Sequence, residues 1–456
     1  MKNKNKTHRK AKCNSNKLVF SSVKRRKILA DFNGGKLTSD VGLLALREVD
    51  KQIGLTKQLS QCIIDNRHPG YVKHSITQML RQRIYAIAAG YEDLNDHQTL
   101  RNDPVIQAVA EHHDNNALAS APTLCRLENN INREALQKIS EVFVERFIAS
   151  HKQPPKELVL DFDATDDPVH GGQVGRFFHG YYDHYCFLPL YVFCGGQLLV
   201  SYLRPSKIDA AKHSRAILKL LVKRFQQAWP DVKIIFRGDS GFCRWKLLGW
   251  CEKHNVYYIV GLAKNSVLTN LGQSWIQKAQ EQFQDSEHKQ RIFGEFEYAA
   301  GTWDRERRVI IKAEHLEQGP NTRFIVTNLS GESQHLYDDI YCQRGDMENR
   351  IKEQQLDLFS DRTSCHEFDA NQFRVFLSAA AYILIETLRR VYLKDTELAR
   401  AQVGTIRIKL LKVAARVVHK SSRILFHICS SYPYHQLLTK LICKLIPWLN
   451  PSFNFT

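Results

Sequence analysis

A mixed α/β fold, with a helix-covered sheet between helical flanks, is the expectation for this chain of 456 residues. Three observations carry it. Short apolar strands and amphipathic helices follow one another through the middle of the chain in the order β-β-β-α-β-α-β. The dipeptide Gly195-Gly196 joins two of the strands as a tight hairpin. On either side of this block, apolar residues recur at helical spacing. With 43% apolar residues the chain can build a sizeable core in two or three domains, which excludes disordered and mini-protein classes.

Residues 1–30 read as a basic, flexible tail, because the first 27 hold eleven Lys and Arg and no acid. Residues 31–150 read as a helical region. There Ser39-Asp40 caps a helix bearing Leu43, Leu44 and Leu46, Ile76, Leu80, Ile84 and Ile87 form one stripe, and Leu136, Ile139, Phe143 and Phe147 form another. Gln153-Pro154-Pro155 ends that texture, and a core segment, 151–263, begins with the strand ELVLDFD at 157–163. Strands at 185–194 and 197–204, a helix at 209–228, a strand at 232–237, a helix at 245–254 and a strand at 256–262 complete it. Residues 264–335, polar and then strand-like, read as a β-rich insertion separate from that sheet. A helix at 336–358 returns the chain to the core, which runs to 367. Residues 368–456 read as a basic helical region, with ten Lys and Arg against two acids between 389 and 423.

The total of 65 Lys and Arg against 47 Asp and Glu gives a net charge of +18, which asks for a polyanionic partner. Most of the surplus lies at the two ends, leaving a nearly neutral body. Eleven cysteines, odd in number and without a C-x-x-C pair, point to a reducing compartment. The apolar run behind the basic start, Leu18-Val19-Phe20, is too short for secretion, and no stretch is long enough to span a membrane. A cytoplasmic protein with no membrane contact is expected.

Three acidic positions stand out. Asp161 and Asp163 lie two apart on one strand and so share a face; Asp239 directly follows the strand VKIIFRG; Glu348 lies on the helix after the insertion. Any one aspartate alone reads as a cap or turn residue, as Asp166 and Asp167 before Pro168 do. Carboxylates gathered at the ends of buried strands repel and resist desolvation, so a set of them suits divalent cations in a two-metal phosphoryl-transfer site. Tyr341, Arg344, Glu348 and Lys352 fall at i, i+3, i+7 and i+11, on one helix face, where a phenol, a guanidinium and an ammonium could attend a scissile phosphate. A rival reading takes D-x-D-x-T at 161–165 as a phosphatase motif, with Asp161 as nucleophile and Asp163 as acid/base. It leaves the basic ends unexplained and finds Cys243 where a second acidic pair is needed.

The segments LDFDATDDPVHGGQ (160–173) and IIFRGDSGF (234–242), with Tyr341-x2-Arg344-x3-Glu348, resemble the DDE transposases of bacterial insertion sequences. DFNGGKLTSDVGLLALREVD (31–50) and GYEDLNDHQTLRNDP (90–104) are similar to that group too. The resemblance implies an RNase H-like core interrupted by a β-rich insertion before the catalytic Glu, and makes the helical region 31–150 a DNA-binding one. It selects Asp163 over Asp161, makes Asp163, Asp239 and Glu348 the catalytic and metal-binding triad, and leaves Asp161 as a further acid. It implies two Mg2+ ions, with Mn2+ able to substitute, and DNA contacts from Tyr341, Arg344 and Lys352. Related proteins carry a Lys seven residues after the Glu, where this chain has Gln355, so Lys352 is assigned that part. The implied activity is cleavage at the element's inverted repeats and strand transfer into target DNA, by a homodimer at the bacterial nucleoid. A non-catalytic DNA-binding derivative of a transposase is the remaining alternative.

Overall fold

The structure, a computed structural model, describes residues 17–112 and 116–449. The expectation for residues 1–16 lies outside the described residues. From residue 18 the basic segment forms an exposed hairpin, β1 (Leu18–Val23) and β2 (Arg26–Ala30). Alternating Leu, Phe and Ile in two short runs around the turn at Lys24-Arg25 account for the pairing. After the short β3 (Leu37–Thr38), helices Leu43–Ile53, Ile76–Ala88, Ala121–Asn129 and Arg133–Ala149 supply the expected apolar stripes.

The central sheet starts at β4 (Glu157–Ala164). The chain then leaves it for a small three-stranded sheet, β5 (Asp167–Pro168), β6 (Phe177–His179) and β7 (His184–Phe187), in the order β5-β7-β6. The single strand expected at 185–194 is split because Pro189 has no N–H to give a ladder, so β8 (Leu190–Cys194) begins afresh in the central sheet. β9 (Gln197–Tyr202) returns through the Gly195-Gly196 hairpin, where Gly195 has a φ of 57°. Helix Ser214–Ala228, β10 (Lys233–Gly238), helix Trp245–Lys253 and β11 (Tyr257–Leu262) follow. β4, β10 and β11 are mutually parallel, and β8 and β9 are antiparallel beside β4, giving the order β9-β8-β4-β10-β11. An antiparallel meander whose first strand also pairs with the nearer of two parallel strands is the RNase H-like arrangement.

The β-rich segment is not separate from this sheet. Helices Ser266–Leu271 and Gln273–Ser286 occupy its polar start, and then come β12 (Gln290–Tyr298), β13 (Arg307–Leu316), β14 (Gly319–Pro320) and β15 (Arg323–Thr327). β15 pairs antiparallel with β11, so β12, β13 and β15 lengthen the same sheet. Val309, Ile311 and Val326 are fully buried and need the cover that a continuous sheet provides. The C-terminal region is likewise not all helical: β16 (Ala415–Lys420) and β17 (Arg423–Ile428) form a hairpin that pairs with β3.

One face of the sheet, with Phe162, Phe236 and Val260, packs on helices Ser214–Ala228 and Trp245–Lys253. The other face meets two bodies. Tyr191 and Phe193 join a single core built by the helices of 43–143 together with those of 368–445. Ile235 and Ile259 pack under Leu336 and Tyr337 on the helical segment that carries Glu348. Helix Phe368–Thr387, buried from Ala370 to Thr387, is the axis of the shared core. The described residues of 31–150 and 368–449 therefore share one core.

Candidate active site

Alternation along β4 sends Phe162 into the core beneath the sheet and turns Asp161 and Asp163 to the opposite face. Asp161 pairs in register with Arg237 of β10, and Phe162 with Gly238, so Asp239, just beyond the strand, comes level with Asp163. Both carboxylates thus stand at the carboxyl ends of adjacent parallel strands. Asp239 also caps the short turn Ser240–Phe242, its Oδ1 accepting from Gly241 N at 2.9 Å.

The two aspartates of β4 have different surroundings. Asp161 is 2% exposed and held by the Arg237 guanidinium, whose Nε and Nη2 donate to its oxygens, the latter at 2.7 Å. Burial raises its pKa against the pull of Arg237. Arg237 also donates from Nη1 to the carbonyl of Ile340. The pair therefore fastens the helical segment of Glu348 to the sheet. Sequence reasoning passed over Arg237, although its place two residues before Asp239 was visible.

Asp163 is 15% exposed and reaches the open side. Its Oδ1 accepts from Ala164 N at 2.9 Å, and its Oδ2 lies 3.5 Å from Nη1 of Arg344. Burial pushes the carboxyl up to about 7; Arg344 opposes the rise, while Asp239 and Glu348 add to it. The same Arg344 donates from Nη2 to Glu348 Oε1 at 2.9 Å. Burial would lower the Arg344 pKa, but Asp163, Tyr341, Glu348 and Asp239 outweigh that and raise it. One guanidinium thus stands among the three carboxylates named from the sequence.

The segment bearing Glu348 is helical but not uniform. Tight and wide turns alternate: α at Ser333–His335, π at Leu336–Tyr341, 3-10 at Cys342–Arg344, α at Gly345–Lys352 and π again at Glu353–Asp357. Such π turns concentrate at functional sites, where they re-aim side chains without ending a helix. Besides Arg237, two contacts fix it. Glu353 is buried in an ion pair with Arg389 at 2.8 Å, and Gln355 Nε2 donates to the Asp166 carbonyl at 2.8 Å. Gln355 is thus a tie to the loop behind Asp163.

The irregular turns leave Tyr341 half-buried against β11. A Cβ on Gly261 would lie 2.7 Å from the Tyr341 hydroxyl, so this glycine is required by close approach. Burial, with a contribution from Asp239, raises the Tyr341 pKa. Lys352 is exposed and is not drawn into the cluster of Asp163, Arg344 and Glu348. Asp167 is no turn residue: it is 1% exposed, and burial raises its pKa well above the carboxylate range. Asp166 meets His184 Nε2 at 2.9 Å.

Asp163, Asp239 and Glu348 offer only carboxylate oxygens, the donor set of hard divalent cations such as Mg2+ or Mn2+. Burial first, and then the nearby Asp239 and Glu348, raise the Asp163 pKa, so the three stand among like charges that a bound cation would offset, and they fit such an ion. Among the described residues no group of three or more Asp, Glu, His or Cys is already arranged as a metal cage. Arg344 supplies the positive charge instead. Also among the described residues, no helix is long and apolar enough to cross a membrane.

Residues 20–448 match the family described as Transposase DDE domain group 1. Among solved structures, the chain is similar to the piggyBac transposase in a synaptic complex with hairpin DNA. The identity is 10% and the TM-score 0.42, over 82% of this chain and 80% of that one. No curated protein matches the chain significantly.

Proposed function

This chain belongs to the Transposase DDE domain group 1 family, and from that membership we propose that it cuts DNA at the ends of a bacterial insertion sequence and joins the freed 3′ ends to target DNA. Asp163, Asp239 and Glu348 are the carboxylates of the reaction. The observation that carries this reading is their convergence. Asp163 and Asp239 end adjacent parallel strands, and Arg344 contacts both Asp163 and Glu348.

The three carboxylates would hold two Mg2+ ions, or Mn2+ in their place, which when bound activate the attacking hydroxyl and stabilise the leaving oxygen. The chain's own residues do the rest. Asp163, where it is protonated, releases its proton to solvent when it takes up a cation, and Arg344 exchanges its carboxylate partners for the non-bridging oxygens of the scissile phosphate. Tyr341, wedged on Gly261, holds that part of the helix against β11 beside Asp239. Lys352, exposed one turn beyond Glu348, takes a DNA phosphate. Basic segments elsewhere in the chain, including the exposed hairpin with Lys24, Arg25, Arg26 and Lys27, track the backbone of the inverted repeats, and two copies of the chain bridge two ends.

The phosphatase alternative needs Asp161 as an accessible nucleophile, and Asp161 is buried against Arg237. The test uses duplexes carrying the DNA that flanks the gene. Asp163→Ala, Asp239→Ala and Glu348→Ala should each abolish cleavage and strand transfer in Mg2+ while leaving end binding intact. Cleavage by Asp239→Ala at the wild-type rate, or a phosphorylated Asp161 detected by mass spectrometry, would overturn the reading.

A further inference from the structure

Between β4 and β8 the chain makes an excursion through residues 165–189, although the next connection in the same meander, β8 to β9, is a tight hairpin. The excursion builds the small sheet β5-β7-β6 and places aromatic rings in solvent. Phe178 is 53% exposed, Tyr185 49% and Tyr181, at the tip, 85%. Phe178 and Tyr185 are directly paired across strands and project from one face, their rings edge to face at 5.7 Å. Arg176 lies over the Tyr185 ring at 4.7 Å, and Lys207 lies 5.9 Å from the Phe177 ring.

The sheet is held firmly in place. Ser206 Oγ donates to the Phe177 carbonyl at 2.8 Å, Val174 N donates to the His366 carbonyl at 3.0 Å, and Phe187 packs on Phe368 at 5.5 Å. Its tip lies beside the loop that follows Asp163. Tyr181 packs on Tyr182 at 5.0 Å, and His184 meets Asp166, three residues after Asp163. Burial and the nearby Asp166 and Asp163 together push Tyr182 up to about 12, in keeping with that proximity.

The sheet thus presents exposed rings with cations beside them, next to a site proposed to act on DNA. They suit nucleic acid, whose bases stack on rings while its phosphates meet Arg and Lys. A base inside a duplex offers no free face, so the strand concerned must be unpaired where it touches the rings. We propose that the β5-β7-β6 sheet is a stacking platform for unpaired bases of the DNA strand beside Asp163, with Tyr181 and Phe178 as the stacking residues. This rests on the transposase reading above and adds to it a place where a locally melted end is held.

The test compares a blunt duplex of flanking DNA with the same duplex carrying a short single-stranded extension that contains 2-aminopurine, in EDTA so that no cleavage occurs. The full-length protein should prefer the extended duplex and quench the fluorophore. The double variant Phe178→Ala/Tyr181→Ala should bind the extended duplex about tenfold more weakly with its quench lost, and the blunt duplex unchanged. Phe178→Tyr/Tyr181→Phe, which keeps both rings, should behave as wild type. Equal weakening on both duplexes, or none on either, overturns the platform. So does lost self-association in light scattering with the preference for the extension intact, since the rings would then join copies of the chain. A protein that cleaves in Mg2+ without any preference for the extension defeats the platform alone. One that prefers the extension through Tyr181 yet never cleaves defeats the cleavage reading alone.

Discussion

The two aspartates of β4 differ in what each would do on substitution. Asp163 has its pKa pushed up to about 7, above the ordinary value of about 3.9, so the fold favours its neutral form. The stability this contributes is fully present below about pH 4 and is lost as the pH rises through about 7. Asp163→Asn should therefore raise the melting temperature at pH 8 and change it little near pH 4. Added Mg2+ should stabilise the wild type at pH 8 but not this variant; thermal melts across pH, with and without the ion, check both. Asp161→Ala should instead cost about 3–5 kcal/mol, because it strands the buried Arg237 charge. Asp161→Leu/Arg237→Met should recover most of that in urea unfolding but not the cleavage rate, since the tie to Ile340 is gone. The shared face of Asp161 and Asp163 was legible in their spacing. Their different fates were not, because burial depth and the partner Arg237 are set by a strand more than seventy residues away.

Elements were legible where their signal is local. β4, the β8-β9 hairpin, β10, β11 and the helices between them follow from apolar runs, Gly195-Gly196 and amphipathic spacing. What escaped depends on pairing with distant chain. Nothing inside 290–327 says that β15 will choose β11, and the basic residues of 415–428 read as a charged helix face until β3 supplies a partner. The alternating turns of the Glu348 segment are likewise imposed by its contacts with Arg237, Gly261 and Arg389. Gly261→Ala checks this directly. The new methyl would meet the Tyr341 hydroxyl at 2.7 Å and Ser240 N at 2.8 Å, where only the former can yield. Cleavage should fall by about tenfold or more, as expected when a catalytic group is misplaced by about an ångström, while affinity for duplex DNA holds. An unchanged cleavage rate would mean that the Tyr341 wedge does not set the position of Glu348.

The molecule as a whole departs furthest from its linear reading, because a core can be shared by segments far apart in sequence. Leu46, Ile84 and Phe143 pack in the same cluster as Phe376, Leu384 and Leu441. Residues 31–150 expressed alone should therefore lack a cooperative thermal transition and bind an apolar dye. Adding residues 368–449 in trans should restore the transition; a sharp melt of the fragment alone would count against the shared core. The same arrangement governs how the chain is made. The last helix of the N-terminal body ends at Ala149, and the helix that forms the axis of its core ends at Thr387, about 240 residues later. At ordinary translation speeds that is roughly 10–50 s during which an apolar helical surface emerges with nothing to cover it. A message broken anywhere before that helix yields no finished N-terminal body, so each copy of the protein matures only once its C-terminal half has left the ribosome.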